Sequence, residues 1–125
     1  LRILIIDDEE IICNTLNDIF DFMGHTATCV DNGFYGLKEI ENSDYDAAFV
    51  DIKMPGMDGI DFLQRMKEMS TAKPVPVFIM TGHGDENTRD EAIIAGASGF
   101  LCKPFGYTEL QEITDKIMES EYSGP

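Results

Sequence analysis

Asp51 ends an apolar run, Ala47-Ala48-Phe49-Val50, and is followed by Met54-Pro55-Gly56 and Asp58-Gly59. Such a run reads as a strand buried on both faces, and the Pro and Gly after it read as a sharp turn. The carboxylate then stands at the carboxyl edge of a sheet, where open α/β folds hold their ligands. For one such Asp taken alone, a turn or cap role is the better explanation. Other strand ends, however, deliver matching groups. Asp7-Asp8 follow the apolar run 1–6, Thr81 follows 75–80, and Lys103 follows 97–102. Three carboxylates drawn together repel one another unless a cation joins them. Oxygen donors with room for water favour Mg²⁺ or Mn²⁺ over zinc. Asp8 and Asp51 are the expected direct ligands, with Asp7 a ligand or a water-mediated neighbour. The backbone carbonyl of Lys53 is expected to complete the protein's share as the turn returns over the strand end. A hydroxyl (Thr81) and an ammonium (Lys103) beside such a carboxylate suit a phosphoryl group sitting on, or moving onto, the Asp51 oxygen.

For these groups to meet, the chain must bring several strand ends to one edge. Runs at 1–6, 25–30, 45–51, 75–80 and 97–102 read as strands. Between the first two, Ile12, Leu16, Ile19, Phe20 and Met23 recur at helical spacing before Gly24, a good helix end. Phe34, Leu37 and Ile40 give a second helix its apolar stripe. Asp58 caps a third, with Phe62, Leu63 and Met66 inward and a break at Lys73-Pro74. The fourth, about 86–95, starts polar and lacks large apolar groups, so it is predicted to pack weakly and move easily. Thr108 and Gln111 predict a capping box on the fifth, which buries Leu110, Ile113 and Ile117, with Met118 beside them. Strands alternating with helices predict an α/β fold: a doubly wound five-stranded parallel sheet with right-handed crossovers. Strand order 2-1-3-4-5 puts the switch point between strands 1 and 3, where Asp7, Asp8 and Asp51 end.

The 125 residues fit one domain with a sizeable core. Nine basic against 24 acidic residues give a formal charge of −15. That disfavours direct nucleic-acid contact and an anionic membrane surface, and suits a cation or a partner with a basic face. No apolar stretch is long enough to span a bilayer, and no signal peptide is evident. Cys13, Cys29 and Cys102 are odd in number, far apart and without Cys-x-x-Cys spacing. They read as reduced core or near-core thiols of a cytoplasmic protein. Because the chain starts at Leu1, it is expected to be a segment, 1–125, of a longer multidomain polypeptide.

Together these residues resemble the receiver domains of two-component response regulators across essentially the whole chain. The resemblance rests on Asp7-Asp8, Asp51 with Met54-Pro55-Gly56-Met57-Asp58-Gly59, Thr81-Gly82, Ala95-Gly96-Ala97, and Phe100-Leu101 before Lys103-Pro104-Phe105. It implies a flavodoxin-like fold, with Asp51 as phosphoacceptor, Asp7 and Asp8 as the Mg²⁺-binding acids, Thr81 as switch hydroxyl and Lys103 as switch lysine. Phe100 matches the aromatic that turns inward when Thr81 engages the phosphoryl group, and Lys103-Pro104 is implied to be cis. The implied donor is a phosphohistidine on a sensor histidine kinase or histidine phosphotransfer protein. The implied output runs through the face of helix 4, strand 5 and helix 5, to an attached output domain or a second receiver. The Thr81-Gly82-His83-Gly84-Asp85 run resembles receivers joined to transcriptional-activator or histidine-kinase modules.

Lys53, two residues after Asp51, and His83, two after Thr81, border the path of the water that would hydrolyse an acyl phosphate. The Lys53 ammonium is expected to pair with the phosphoryl group and hinder that water. Other chemistries fit less well. A phosphatase of the haloacid-dehalogenase type needs an acid where Lys53 stands. A mononucleotide binder needs a Ser/Thr/Gly loop where Asp7-Asp8-Glu9-Glu10 stands. A degenerate receiver acting as a constitutive interaction surface is the remaining rival, against which the complete Asp, Thr and Lys set argues.

Overall fold

The computed structural model describes residues 1–69, 74–82 and 85–122, with backbone alone at 121 and 122. Strands β1 (Arg2–Ile6), β2 (Thr26–Val30), β3 (Ala47–Asp51), β4 (Val77–Thr81) and β5 (Gly99–Cys102) alternate with helices α1 (Glu10–Phe22), α2 (Gly33–Asn42), α3 (Gly59–Glu68), α4 (Arg89–Ala95) and α5 (Tyr107–Tyr122). All pairings are parallel, in the order β2-β1-β3-β4-β5. The doubly wound arrangement is therefore the one the alternating pattern predicts.

Side chains alternate across the sheet as strand geometry requires. Leu4, Ile6, Ala48, Val50, Val77 and Ile79 face one layer, closed by Ile40 of α2, Phe62 and Leu63 of α3, and Ala92 and Ala95 of α4. Ile3, Ile5, Ala47, Phe49, Met80 and Leu101 face the other, closed by Leu16 and Phe20 of α1 and by Leu110 and Ile117 of α5. Both faces of β3 are covered, so Asp51 is reached through a strand with no solvent-facing side. The Asp58 carboxylate accepts from the Asp61 amide at 2.8 Å while Asp61 accepts from the Asp58 amide, a reciprocal cap that fixes the start of α3. Gly59 allows that start to lie against β3, since a Cβ there would stand 3.0 Å from the Asp51 carbonyl and 3.1 Å from the Ile52 Cα.

Several local expectations are corrected. Phe34 is exposed, not buried: α2 approaches the sheet through Gly33 and Gly36, which leaves its large rings outside. The cap of α5 is Gly106 with Glu109, whose carboxylate accepts from the Gly106 amide at 2.9 Å; Thr108 is already inside the helix. A 3₁₀ turn, Glu86–Thr88, precedes α4, which is shorter than predicted and buries only Ala92 and Ala95. Helix α3 stops at Glu68, ahead of the predicted break, whose Lys73 lies outside the described residues. The cysteines are not three reduced core thiols. Cys13 and Cys29 are joined in a disulfide with Cα atoms 6.0 Å apart, and Cys102 is free and exposed. The pair stands 16 positions apart in sequence, but α1 returns directly into β2 beside it. No helix among the described residues is long and apolar enough to cross a membrane.

Candidate functional site

Sheet register carries the candidate site residues to one level. Ile6 pairs with Val50, so Asp7 and Asp51 leave adjacent strands side by side. Asp51 pairs with Met80 and Thr81 with Cys102, so Thr81 and Lys103 follow one step further along β4 and β5. Asp7, Asp8 and Asp51 offer oxygens within 4.8 Å of one another. Asp7 and Asp51 are buried, whereas Asp8 is exposed at the rim. The Lys103 side chain enters from just past the end of β5, and the Lys103-Pro104 bond that follows it is cis. Its Nζ lies 3.3 Å from Asp7 Oδ2, 3.4 Å from Asp51 Oδ1 and 3.7 Å from Glu9 Oε1.

One ammonium does not balance this many carboxylates. Burial raises the Asp51 carboxyl to about 6, and the neighbouring Asp7 adds to the rise; Lys103 and the Lys53 amide, which donates to Asp51 Oδ1 at 3.4 Å, offset part of it. Burial likewise raises Asp7, against the Glu9 amide, which donates to its Oδ1 at 2.9 Å, and against Lys103. Burial pulls the Lys103 ammonium down, but Asp51 and Asp7 outweigh it and hold it above its ordinary value. An all-oxygen set with excess negative charge, partly open to water through Asp8, fits a hard divalent cation such as Mg²⁺ or Mn²⁺.

Around this centre lie the switch candidates. The Thr81 hydroxyl is 3.7 Å from Cys102 Sγ, on the β5 side. Phe100 is half-buried, with the Arg89 guanidinium 4.8 Å from its ring centroid. Arg89 also donates to Cys102 Sγ at 3.0 Å, so one side chain from α4 spans both β5 residues. The Lys53 ammonium does not lie on Asp51. It forms an ion pair with Asp85 at 2.8 Å. His83 lies outside the described residues.

Glu9, Asp85 and Arg89 are not among the candidate site residues that the sequence points to. Glu9 carried a readable signal, as a third acid beside Asp7-Asp8. Asp85 and Arg89 carried none, because their contacts depend on how the β4–α4 connection folds.

The profile of the response regulator receiver domain family matches residues 3–115. Among curated proteins, the chain is similar to the transcriptional regulatory protein FixJ of Bradyrhizobium diazoefficiens, 39% identical over 104 residues, covering 83% of this chain and 50% of FixJ. It is similar to the sporulation initiation phosphotransferase F of Bacillus subtilis, 33% identical over 117 residues, covering 94% of this chain and 93% of that protein. Among solved structures, full-length FixJ from B. japonicum superposes with a TM-score of 0.85 at 35% identity, covering 94% of this chain and 57% of that one. The chain thus spans about half the length of FixJ.

Proposed function

The chain belongs to the response regulator receiver domain family of two-component signalling, and from that premise we propose that it is a phosphorylation-dependent switch with Asp51 as acceptor. The observation that carries this reading is Lys103 Nζ, placed 3.4 Å from Asp51 and 3.3 Å from Asp7 beside the three-carboxylate cluster. The donor is a phosphohistidine on a sensor histidine kinase or histidine phosphotransfer protein. An Asp51 oxygen attacks phosphorus and the P–N bond breaks. The electron pair returns to the imidazole, which takes up a proton. Lys103 holds negative charge on the transferring group. Asp8, Asp51 and the Lys53 carbonyl, with Asp7 a ligand or linked through water, would hold Mg²⁺ or Mn²⁺; when bound, that ion supplies further charge neutralisation. Receivers are switches rather than turnover enzymes, and the acyl phosphate is the signal.

In this reading the Thr81 hydroxyl leaves Cys102 for a phosphoryl oxygen. Phe100 then turns inward from beneath Arg89, and the face of α4, β5 and α5 changes shape. That face engages an attached output domain or a second receiver. The half-length match to FixJ supports an attached output.

The test is intact mass after incubation with acetyl phosphate and Mg²⁺. We expect one phosphoryl group on the wild type, none on Asp51→Asn, and none after chelation. Phosphorylation of Asp51→Asn at another residue would remove Asp51 from its role. No addition from acetyl phosphate or from a phosphohistidine donor would favour a constitutive interaction surface.

A further inference from the structure

Asp85 is a buried carboxylate at the start of the β4–α4 connection, and the phosphoryl chemistry above does not use it. Its Oδ2 accepts from the Gly82 amide at 2.7 Å, and its carbonyl accepts from the Thr88 hydroxyl at 2.6 Å. Neither bond involves its buried Oδ1. Among the described residues, that oxygen has the Lys53 ammonium as its one partner, at 2.8 Å. The pair therefore ties the loop after Asp51 to the connection after Thr81. Its two ends differ. Asp85 is pinned by the backbone, whereas Lys53 is 73% exposed and rides on a flexible stem. The Lys53 backbone amide already reaches Asp51 Oδ1, so its ammonium starts within a side chain's length of any group carried by Asp51.

We propose that Asp85 is a positioning residue for the phosphoryl site, holding the Lys53 ammonium away from Asp51 until a phosphoryl group on Asp51 competes for it. The inference rests on Asp51 being the acceptor. In the unmodified protein the pair clasps the β4–α4 connection to the loop after β3. A phosphoryl group adds negative charge at Asp51, so two anions then share one mobile cation. Whatever fraction of time Lys53 spends on the phosphoryl oxygens, it shields phosphorus from water. Hydrolysis, in which water attacks phosphorus, the bond to the Asp51 oxygen breaks and orthophosphate leaves, slows accordingly. For that same fraction Asp85 is released, and the start of α4 is freed from β3.

The experiment is a double-mutant cycle on the lifetime of the phosphorylated protein, loaded with acetyl phosphate and Mg²⁺ and followed by intact mass after donor removal. Asp85→Asn keeps an acceptor for the Gly82 amide and removes only the charge. It should lengthen the lifetime roughly 2–5-fold, the range expected of one partly exposed ion pair. In a Lys53→Met background the same change should have no effect, because no ammonium remains to redirect. An equal effect of Asp85→Asn in both backgrounds would mean that it acts through the loop's shape, and would overturn the proposal. No effect in either background would also overturn it. If the wild type takes up a phosphoryl group neither from acetyl phosphate nor from a phosphohistidine donor, the acceptor reading fails and this inference falls with it. Asp85→Ser, which also leaves a hydroxyl for Gly82, repeats the comparison should Asp85→Asn fail to fold.

Discussion

Asp51 is ionised at neutral pH only against resistance. Its carboxyl is raised to about 6 in the folded chain, from an ordinary 3.8, by burial and by Asp7. The folded state therefore binds the proton more tightly than the unfolded chain does. Stability falls as pH rises from about 4 to about 6, and the penalty is complete above that window. In metal-free protein at pH 7, Asp51→Asn should raise Tm by roughly 3–8 °C, and the gain should shrink toward zero by about pH 4. Calorimetry in chelator across that range checks it; a lower Tm for Asp51→Asn would mean that Lys103 already compensates the cluster. The same imbalance makes a divalent cation a stabilising ligand, so saturating Mg²⁺ should raise the wild-type Tm more than that of Asp51→Asn.

At the level of elements, the site depends on how α3 begins. The Asp58–Asp61 cap and the close approach of Gly59 seat this helix directly behind Asp51. Asp58→Ala should cost about 1 kcal/mol of stability, the usual worth of an N-cap. Gly59→Ala should do something different. Its Cβ meets backbone at 3.0 Å rather than a yielding side chain, so β3 and α3 must separate. We expect a loss of about 1–3 kcal/mol and a fall in phosphorylation rate. Asp58→Ala should leave that rate near normal. Denaturant melts paired with acetyl phosphate loading separate the two effects.

Element type and candidate site were legible because each candidate residue ends an apolar run: Asp7 after β1, Asp51 at the end of β3, Thr81 at the end of β4 and Lys103 after β5. What stayed hidden depends on tertiary detail. The Lys53–Asp85 pair joins two loops, Arg89 reaches across from a helix to a strand, and Cys13 meets Cys29 only because α1 folds back onto β2. Phe34 misled because glycine, not the aromatic, sits on the buried side of α2.

Over the whole molecule, a charge of −15 surrounds a site that, in the proposed role, would have to admit an anionic phosphoryl donor. Long-range repulsion slows the encounter, and salt screens it within about 10 Å at 0.1 M. At saturating Mg²⁺, phosphorylation by acetyl phosphate should therefore speed up as ionic strength rises from about 0.01 to 0.2 M, a range over which the screening length shortens severalfold. A rate that fell with salt would mean that the local field of Lys103 and the bound ion governs approach. The thin attachment of α4 has a consequence for signal quality. Two methyl-sized side chains, Ala92 and Ala95, are all that this helix buries. At roughly 0.8 kcal/mol per buried carbon, their burial contributes only about 1.6 kcal/mol, beside the polar reach of Arg89 to Cys102 and of Lys67 to the Ile94 carbonyl. With this helix as the proposed moving element, so shallow a seat would leave a minor displaced population among resting molecules, a built-in leak that limits the contrast between silent and signalling states. Replacing either alanine with a larger apolar residue that still fitted would quieten the background, at the expense of a response harder to trigger.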